Sequence, residues 1–354
     1  MGRYASPGRA PVPGLQGLNT IAQISVAPGR AGRVVLVTRA GDEEILPRFR
    51  AAFTQAYQPE SGREAYDVDV ARKIPAGPDV VGLAVSPPAQ LTAQDVAALP
   101  GLRIVAVASA GYDHLDVDAL AAAGVPIAHA PGYCDVEVAD HAIAMTLALL
   151  RNLHVGDRYV RSGGWSSRAV GAKRVTGSVL GVVGLGRTGA LVARRAAGLG
   201  LRVIAWAPRT PAARARELGV TLVATLPELL AASDVVSLHV PLTPDTKNLI
   251  DADALAFMRP DAALVNCGRG GLVDLSALGA ALESGRLAGA ALDVLDTEPP
   301  PPDHPAFTLP RTILTPHQAW LSPESEYAAY EMAAAAIGAV LSGRPPQHVV
   351  EKQE

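Results

Sequence analysis

The chain has 354 residues, 49% of them hydrophobic, which is enough for two domains with sizeable cores and excludes a largely disordered protein. A formal net charge of −3 excludes a general electrostatic pull towards nucleic acid or an anionic membrane. No apolar run reaches the length of a membrane span, no leader-like segment opens the chain, and Cys134 and Cys267 make no disulfide framework, so a cytoplasmic setting is expected.

Residues 1–32 are rich in Gly, Pro, Ala and Arg, contain no acid, and are predicted to be a disordered tail. From Arg33 the pattern alternates. Strands are predicted over 33–40, 80–85, 102–109 and 126–128, with helices over 43–57, 92–99 and 117–123 between them. The stretch EVADHAIAMTLALLRNL (137–153) carries apolar residues on more than one face and predicts a long, largely buried helix, with a second helix over 154–162. A new strand ends in VLGVVGLGRTG (179–189), a helix follows through Leu199, and the next strand covers 201–207. Short apolar runs continue at 234–240, 262–265, 289–293 and 312–315, and an Ala-rich helix covers Pro323–Leu341. Strands alternating with helices predict an α/β fold with parallel sheets.

Gly184, Gly186 and Gly189 form G-x-G-x-x-G between a strand and a helix, the context a dinucleotide requires. The first glycine permits the turn, the second lets the backbone approach a pyrophosphate, and the third lets helix and strand pack closely. The phosphates would lie over the free N–H groups at the start of the helix.

Three ionisable residues follow short strands: Arg269 in VNCGRGGLVD, Glu298 in DVLDTEPP and His317 in LTPHQAW. In a parallel sheet, ligands sit beyond the carboxyl ends of the strands, so these residues are expected along one edge near the nucleotide. Their chemistry suits carbonyl reduction beside a carboxylate. A guanidinium offers a planar fork, an imidazolium can give up a proton, and a carboxylate on the far ring nitrogen orients the imidazole.

These segments, with ASAGYDHLD (108–116) and SDVVSLHVPLTPDT (233–246), resemble the D-isomer-specific 2-hydroxyacid dehydrogenases, a likeness that covers about Arg33 to Leu341. The resemblance implies two Rossmann-like, doubly wound domains, with the cofactor domain (154–319) inserted in a flavodoxin-like substrate domain (33–136 and 320–345) and 137–153 as the linking helix. It implies Arg269, Glu298 and His317 as the substrate-binding, orienting and acid/base residues. It implies that Ala110, Gly111 and Tyr112 bind the substrate carboxylate, with Trp320 as a pocket wall. Cofactor contacts would come from Gly184, Gly186, Arg187, Thr188, Gly189, Val240, Pro241, Thr246, Cys267, Gly268 and Asp293, the last on the nicotinamide carboxamide. No metal is implied; a small 2-oxo or 2-hydroxy acid and a second copy of the chain are the expected partners.

Within this family, formate dehydrogenases carry glutamine where this chain has Glu298, so an acid favours a 2-oxo/2-hydroxy acid pair. The segment 130–141 and Trp320 also resemble the C-terminal-binding-protein branch, which makes a nucleotide-sensing corepressor the alternative. There is one departure. Where the family's second strand often ends in Asp, this chain has Ala207, and Arg209 follows in the same turn. NADP is therefore expected to serve at least as well as NAD, with Arg209 on the 2′-phosphate and Thr210 as a further donor.

Overall fold

The computed structural model describes residues 32–37, 45–57, 66–87 and 89–350. The disordered tail expected over 1–32, the end of the first strand after Val37 and the start of the first helix therefore lie outside the described residues, apart from Gly32. The chain divides into two compact units, one running to Ala130 and resuming at Tyr330, the other Pro131–Ala329.

The first unit contains β1 (Arg33–Val37), α1 (Ile45–Ala56), β2 (Asp67–Ala71), β3 (Val80–Val85), α2 (Ala93–Ala97), β4 (Ile104–Val107), α3 (Val117–Ala122) and β5 (Ile127–Ala128). The strands pair in parallel in the order β2-β1-β3-β4-β5, the flavodoxin-like order. β3 and β4 are buried along their whole length, which is why they read as unbroken apolar runs. β2 was not expected. Its sequence, DVDVA, lies at the sheet edge and is partly exposed, so it lacks the apolar signature, and Asp69 instead receives Arg33 Nε at 2.9 Å.

The second unit contains α4 (Asp135–Leu150), α5 (Leu153–Arg161), α6 (Ser167–Val170), β6 (Val179–Val183), α7 (Arg187–Gly198), β7 (Arg202–Trp206), α8 (Ala212–Glu217), β8 (Thr221–Leu222), α9 (Leu226–Ala232), β9 (Val235–Leu238), α10 (Ala252–Phe257), β10 (Ala263–Asn266), α11 (Leu275–Glu283), β11 (Gly289–Leu292) and β12 (Thr312–Leu314); α12 (Pro323–Leu341) runs from this unit into the first. The parallel order is β12-β11-β10-β9-β6-β7-β8, with the direction of winding reversing between β6 and β9. That reversal is the switch point at which doubly wound sheets bind ligands.

The long helix differs from its expected span. It ends at Leu150 rather than at 153, because Asn152 adopts a left-handed φ of 49° and starts α5 one residue later. α4 lies against the sheet's core, with Ala139, Ala142, Met145 and Leu149 buried among residues of β6, β10 and α7. Among the described residues no helix is long and apolar enough to cross a membrane.

Candidate active site

The glycine loop has the geometry its sequence requires. Gly184 takes φ +92°, and a Cβ there would lie 2.7 Å from the His239 carbonyl oxygen at the end of β9. A Cβ on Gly189 would lie 2.1 Å from the Gly184 oxygen, so only glycine lets α7 start this close to β6. Gly186 differs: a Cβ there meets nothing within 4 Å. Gly186 is also the N-cap of α7, and no side chain makes a capping hydrogen bond to the first amides of this three-turn helix. These features fit a pyrophosphate.

Beside the loop, Asp135 in the first turn of α4 accepts Arg187 Nε at 3.0 Å and the Thr188 hydroxyl at 3.1 Å. An acid at a helix start ordinarily answers that helix's dipole. Here it also holds the first turn of a second helix, a role nothing in the local sequence signals.

The three ionisable residues come together at the carboxyl ends of β10, β11 and β12. His317 Nδ1 lies 2.5 Å from Glu298 Oε2, and the other Glu298 oxygen accepts the Leu295 N–H at 2.8 Å. Burial raises the Glu298 carboxyl. The His317 hydrogen bond, the Leu295 amide and the charges of His317 and Arg269 outweigh it, so the carboxyl sits below its ordinary value. A carboxylate can only accept, so His317 Nδ1 carries the proton and Nε2 is the working nitrogen.

Arg269 is set by the Asn266–Gly270 loop. Asn266, fully buried at the end of β10, accepts the Gly268 N–H at 3.0 Å and donates to the Arg269 carbonyl at 2.9 Å. The only local mark of this role in the sequence is an asparagine closing an otherwise apolar strand. Gly270 packs against the next loop so tightly that a Cβ would lie 1.9 Å from the Leu295 carbonyl carbon and 2.3 Å from the Asp296 nitrogen. Its smallness lets the Arg269 loop lie directly against the Glu298 loop. Asp296 is held in turn by the buried His304, whose Nε2 lies 3.1 Å from Oδ1.

Several expected cofactor residues are engaged within the protein. The Thr246 hydroxyl accepts the Thr243 N–H and donates to the Pro241 carbonyl, both at 2.7 Å, which closes the turn after Val240. Cys267 turns its thiol into the core, 3.7 Å from Met145 Sδ, and burial pushes that thiol up. Only the backbone of Cys267 is left to face a ligand. Asp293, 2% exposed, accepts the Thr315 hydroxyl at 2.5 Å and the Gln318 and Ala319 amides at 2.9 Å. Ala207 is buried, whereas Arg209 is exposed on the turn after β7. Trp320 is half-buried against Tyr133, with ring centres 6.3 Å apart. Ala110, Gly111 and Tyr112 belong to the first unit, in the loop after β4; His129 Nδ1 is 2.9 Å from the Ala110 oxygen and Ser109 donates to the Gly111 carbonyl.

A parallel, doubly wound sheet with a glycine-loop helix at its switch point defines a dinucleotide-binding architecture, here with a paired histidine and glutamate at its carboxyl edge. The profile described as "D-isomer specific 2-hydroxyacid dehydrogenase, NAD binding domain" matches residues 143–319. Glyoxylate reductase of Korarchaeum cryptofilum is 41% identical over 260 residues, 72% of this chain and 78% of that protein. D-3-phosphoglycerate dehydrogenase of Mycobacterium tuberculosis is 40% identical over 268 residues, covering 76% of this chain but 50% of the relative. The chain thus spans about half the length of the phosphoglycerate dehydrogenases it matches. A solved protein of Thermus thermophilus superposes with a TM-score of 0.76 at 36% identity, covering 90% of this chain and all of that one. The chain belongs to the D-isomer-specific 2-hydroxyacid dehydrogenase family.

Proposed function

We propose that the protein is a nicotinamide-dependent dehydrogenase that interconverts a 2-oxo acid and a D-2-hydroxy acid. The observation that carries this reading is the 2.5 Å contact between His317 Nδ1 and Glu298, at the same sheet edge as Arg269. The bound cofactor supplies or accepts the hydride. In the reducing direction His317 gives its Nε2 proton to the oxygen of the reacting carbonyl, and Glu298 stabilises the cationic ring while it waits. In the oxidising direction the neutral ring, with its proton held on Nδ1 by Glu298, takes the hydroxyl proton at Nε2. Arg269 binds the substrate carboxylate with its fork and polarises the carbonyl. The second unit is assigned as the cofactor domain and the first as the substrate domain, with Ala110–Tyr112 as its carboxylate-binding loop. Relatives named as dehydrogenases and reductases favour this reading over a corepressor-like sensor.

Glu298 as an acid supports a 2-oxo acid rather than formate. Ala207 supports NADP as a cofactor at least as good as NAD, because nothing acidic there repels a 2′-phosphate and Arg209 is exposed nearby. Self-association to a homodimer is supported by α5, which buries none of its residues within the chain and is followed by a Trp165 that is 88% exposed. The test of the central reading is turnover of a panel of 2-oxo acids by the parent and His317→Ala. A loss of about 100-fold or more with nucleotide binding intact is expected; near-parental turnover in the variant would sink it.

A further inference from the structure

We infer that Thr315 and His141 are positioning residues for His317, acting through the Asp293 carboxylate. The inference rests on the reading of His317 as the acid/base. The Thr315 hydroxyl has one proton, and it points at Asp293 Oδ1, 2.5 Å away. That oxygen already accepts the Gln318 N–H, and Oδ2 accepts the Ala319 N–H, both at 2.9 Å. Towards His141 Nε2, 3.2 Å from it, Thr315 Oγ1 can therefore only accept. The His141 ring must carry its proton on Nε2. The same nitrogen lies 3.6 Å from Asp293 Oδ1. A directed chain results: His141 donates to Thr315, and Thr315 donates to Asp293.

At its other side Asp293 gathers three consecutive amides. Its backbone carbonyl accepts the His317 N–H at 2.8 Å, and its carboxylate takes those of Gln318 and Ala319. The three amides gathered around one residue hold His317 at φ 51°, a left-handed conformation uncommon for any residue but glycine. With Asp293 2% exposed, little water can replace a lost partner. Thr315 and His141 fix the rotation of the carboxylate from behind, and the carboxylate fixes the turn that aims His317 at Glu298.

The experiment pairs disruptive and conservative variants. Thr315→Val keeps the shape and removes the hydroxyl; Thr315→Ser restores it. His141→Ala removes the donor; His141→Gln returns an N–H at similar reach. With glyoxylate as probe, Thr315→Val is expected to lower kcat about tenfold or more while both KM values stay within about threefold, and His141→Ala to lower it by a smaller factor. Ser and Gln should recover most of the loss. Independently of activity, the His317 ring signal in histidine-labelled protein, assigned by its disappearance in His317→Ala, should shift in Thr315→Val and not in Thr315→Ser. An unchanged ring signal, or a fall in thermal stability with kcat unaffected, overturns the inference. If His317→Ala itself retains turnover, the acid/base reading fails and takes the inference with it, and the ring signal separates that failure from a failure of positioning.

Discussion

The most exposed point of the proposed site is not a charged residue but Gly270. Replacing it with alanine adds one methyl at a backbone conformation open to any residue, so the whole effect is steric. That methyl would lie 1.9 Å from the Leu295 carbonyl carbon, 2.0 Å from its oxygen and 2.3 Å from the Asp296 nitrogen. Ordinary contact begins near ~3.4 Å, so the two loops must part by roughly 1 Å or more, and the obstacle is backbone that cannot rotate away. The Leu295 loop resists, because Glu298 holds the Leu295 amide and His304 holds Asp296. Overpacking of this kind costs about 1–3 kcal/mol of stability. A displacement of about 1 Å between Arg269 and the Glu298–His317 pair is expected to cost about 100-fold in kcat/KM. The assay is steady-state reduction of the best 2-oxo acid together with urea unfolding, in Gly270→Ala and in Gly186→Ala as comparison. A Gly270→Ala protein with parental kcat/KM and parental stability would refute the argument that loop contact sets the site.

The other expectations are separate. Gly186→Ala should cost the nucleotide-free protein no more than about 1 kcal/mol, the N-cap preference for glycine over alanine, since the new methyl meets nothing, yet weaken dinucleotide binding about tenfold or more; titration calorimetry with equal affinity for both proteins would remove Gly186 from the phosphate site. Glu298→Gln should destabilise the fold at neutral pH by roughly 1 kcal/mol. Because the Glu298 carboxyl lies below its ordinary value of 4.5, the difference from the parent should be full above that pH and vanish as pH falls through the depressed value; a difference that grows in acid would contradict it. Arg209→Ala should lose about tenfold in kcat/KM with NADPH and little with NADH; equal losses, or a parent that strongly prefers NADH, would take Arg209 out of the cofactor site.

Much of this protein could be read directly from its residues, for a local reason. β3, β4, β9 and β10 are buried on both faces, so each is a short unbroken apolar run, and turn and cap residues separate them. The glycine loop is legible because its three glycines fall at fixed spacing within six residues, between a strand and a helix, although the neighbour that crowds Gly184, His239, is distant in sequence and Gly186 is crowded by nothing. Arg269, Glu298 and His317 could be proposed together because each follows a strand, and parallel strands deliver their ends to one edge. The polar edge strand β2 and the early end of α4 at Asn152 were missed, since an exposed edge lacks periodicity and one left-handed residue leaves little trace in composition.

What only the tertiary structure decided are the contacts between distant segments. Asp135 meets Arg187 across 52 positions, and His141 meets Thr315 across 174. Neither partner carries a local mark of the other, because a hydrogen bond between segments depends on how helices and loops pack and not on spacing. The same holds for Gly270, whose neighbours look like an ordinary glycine turn until Leu295 is found against it. The sequence by itself determined which chemical groups this protein possesses and at which edge of the sheet they stand. Packing decided how those groups are held, since orientation to a fraction of an ångström is a property of the contacts around a residue.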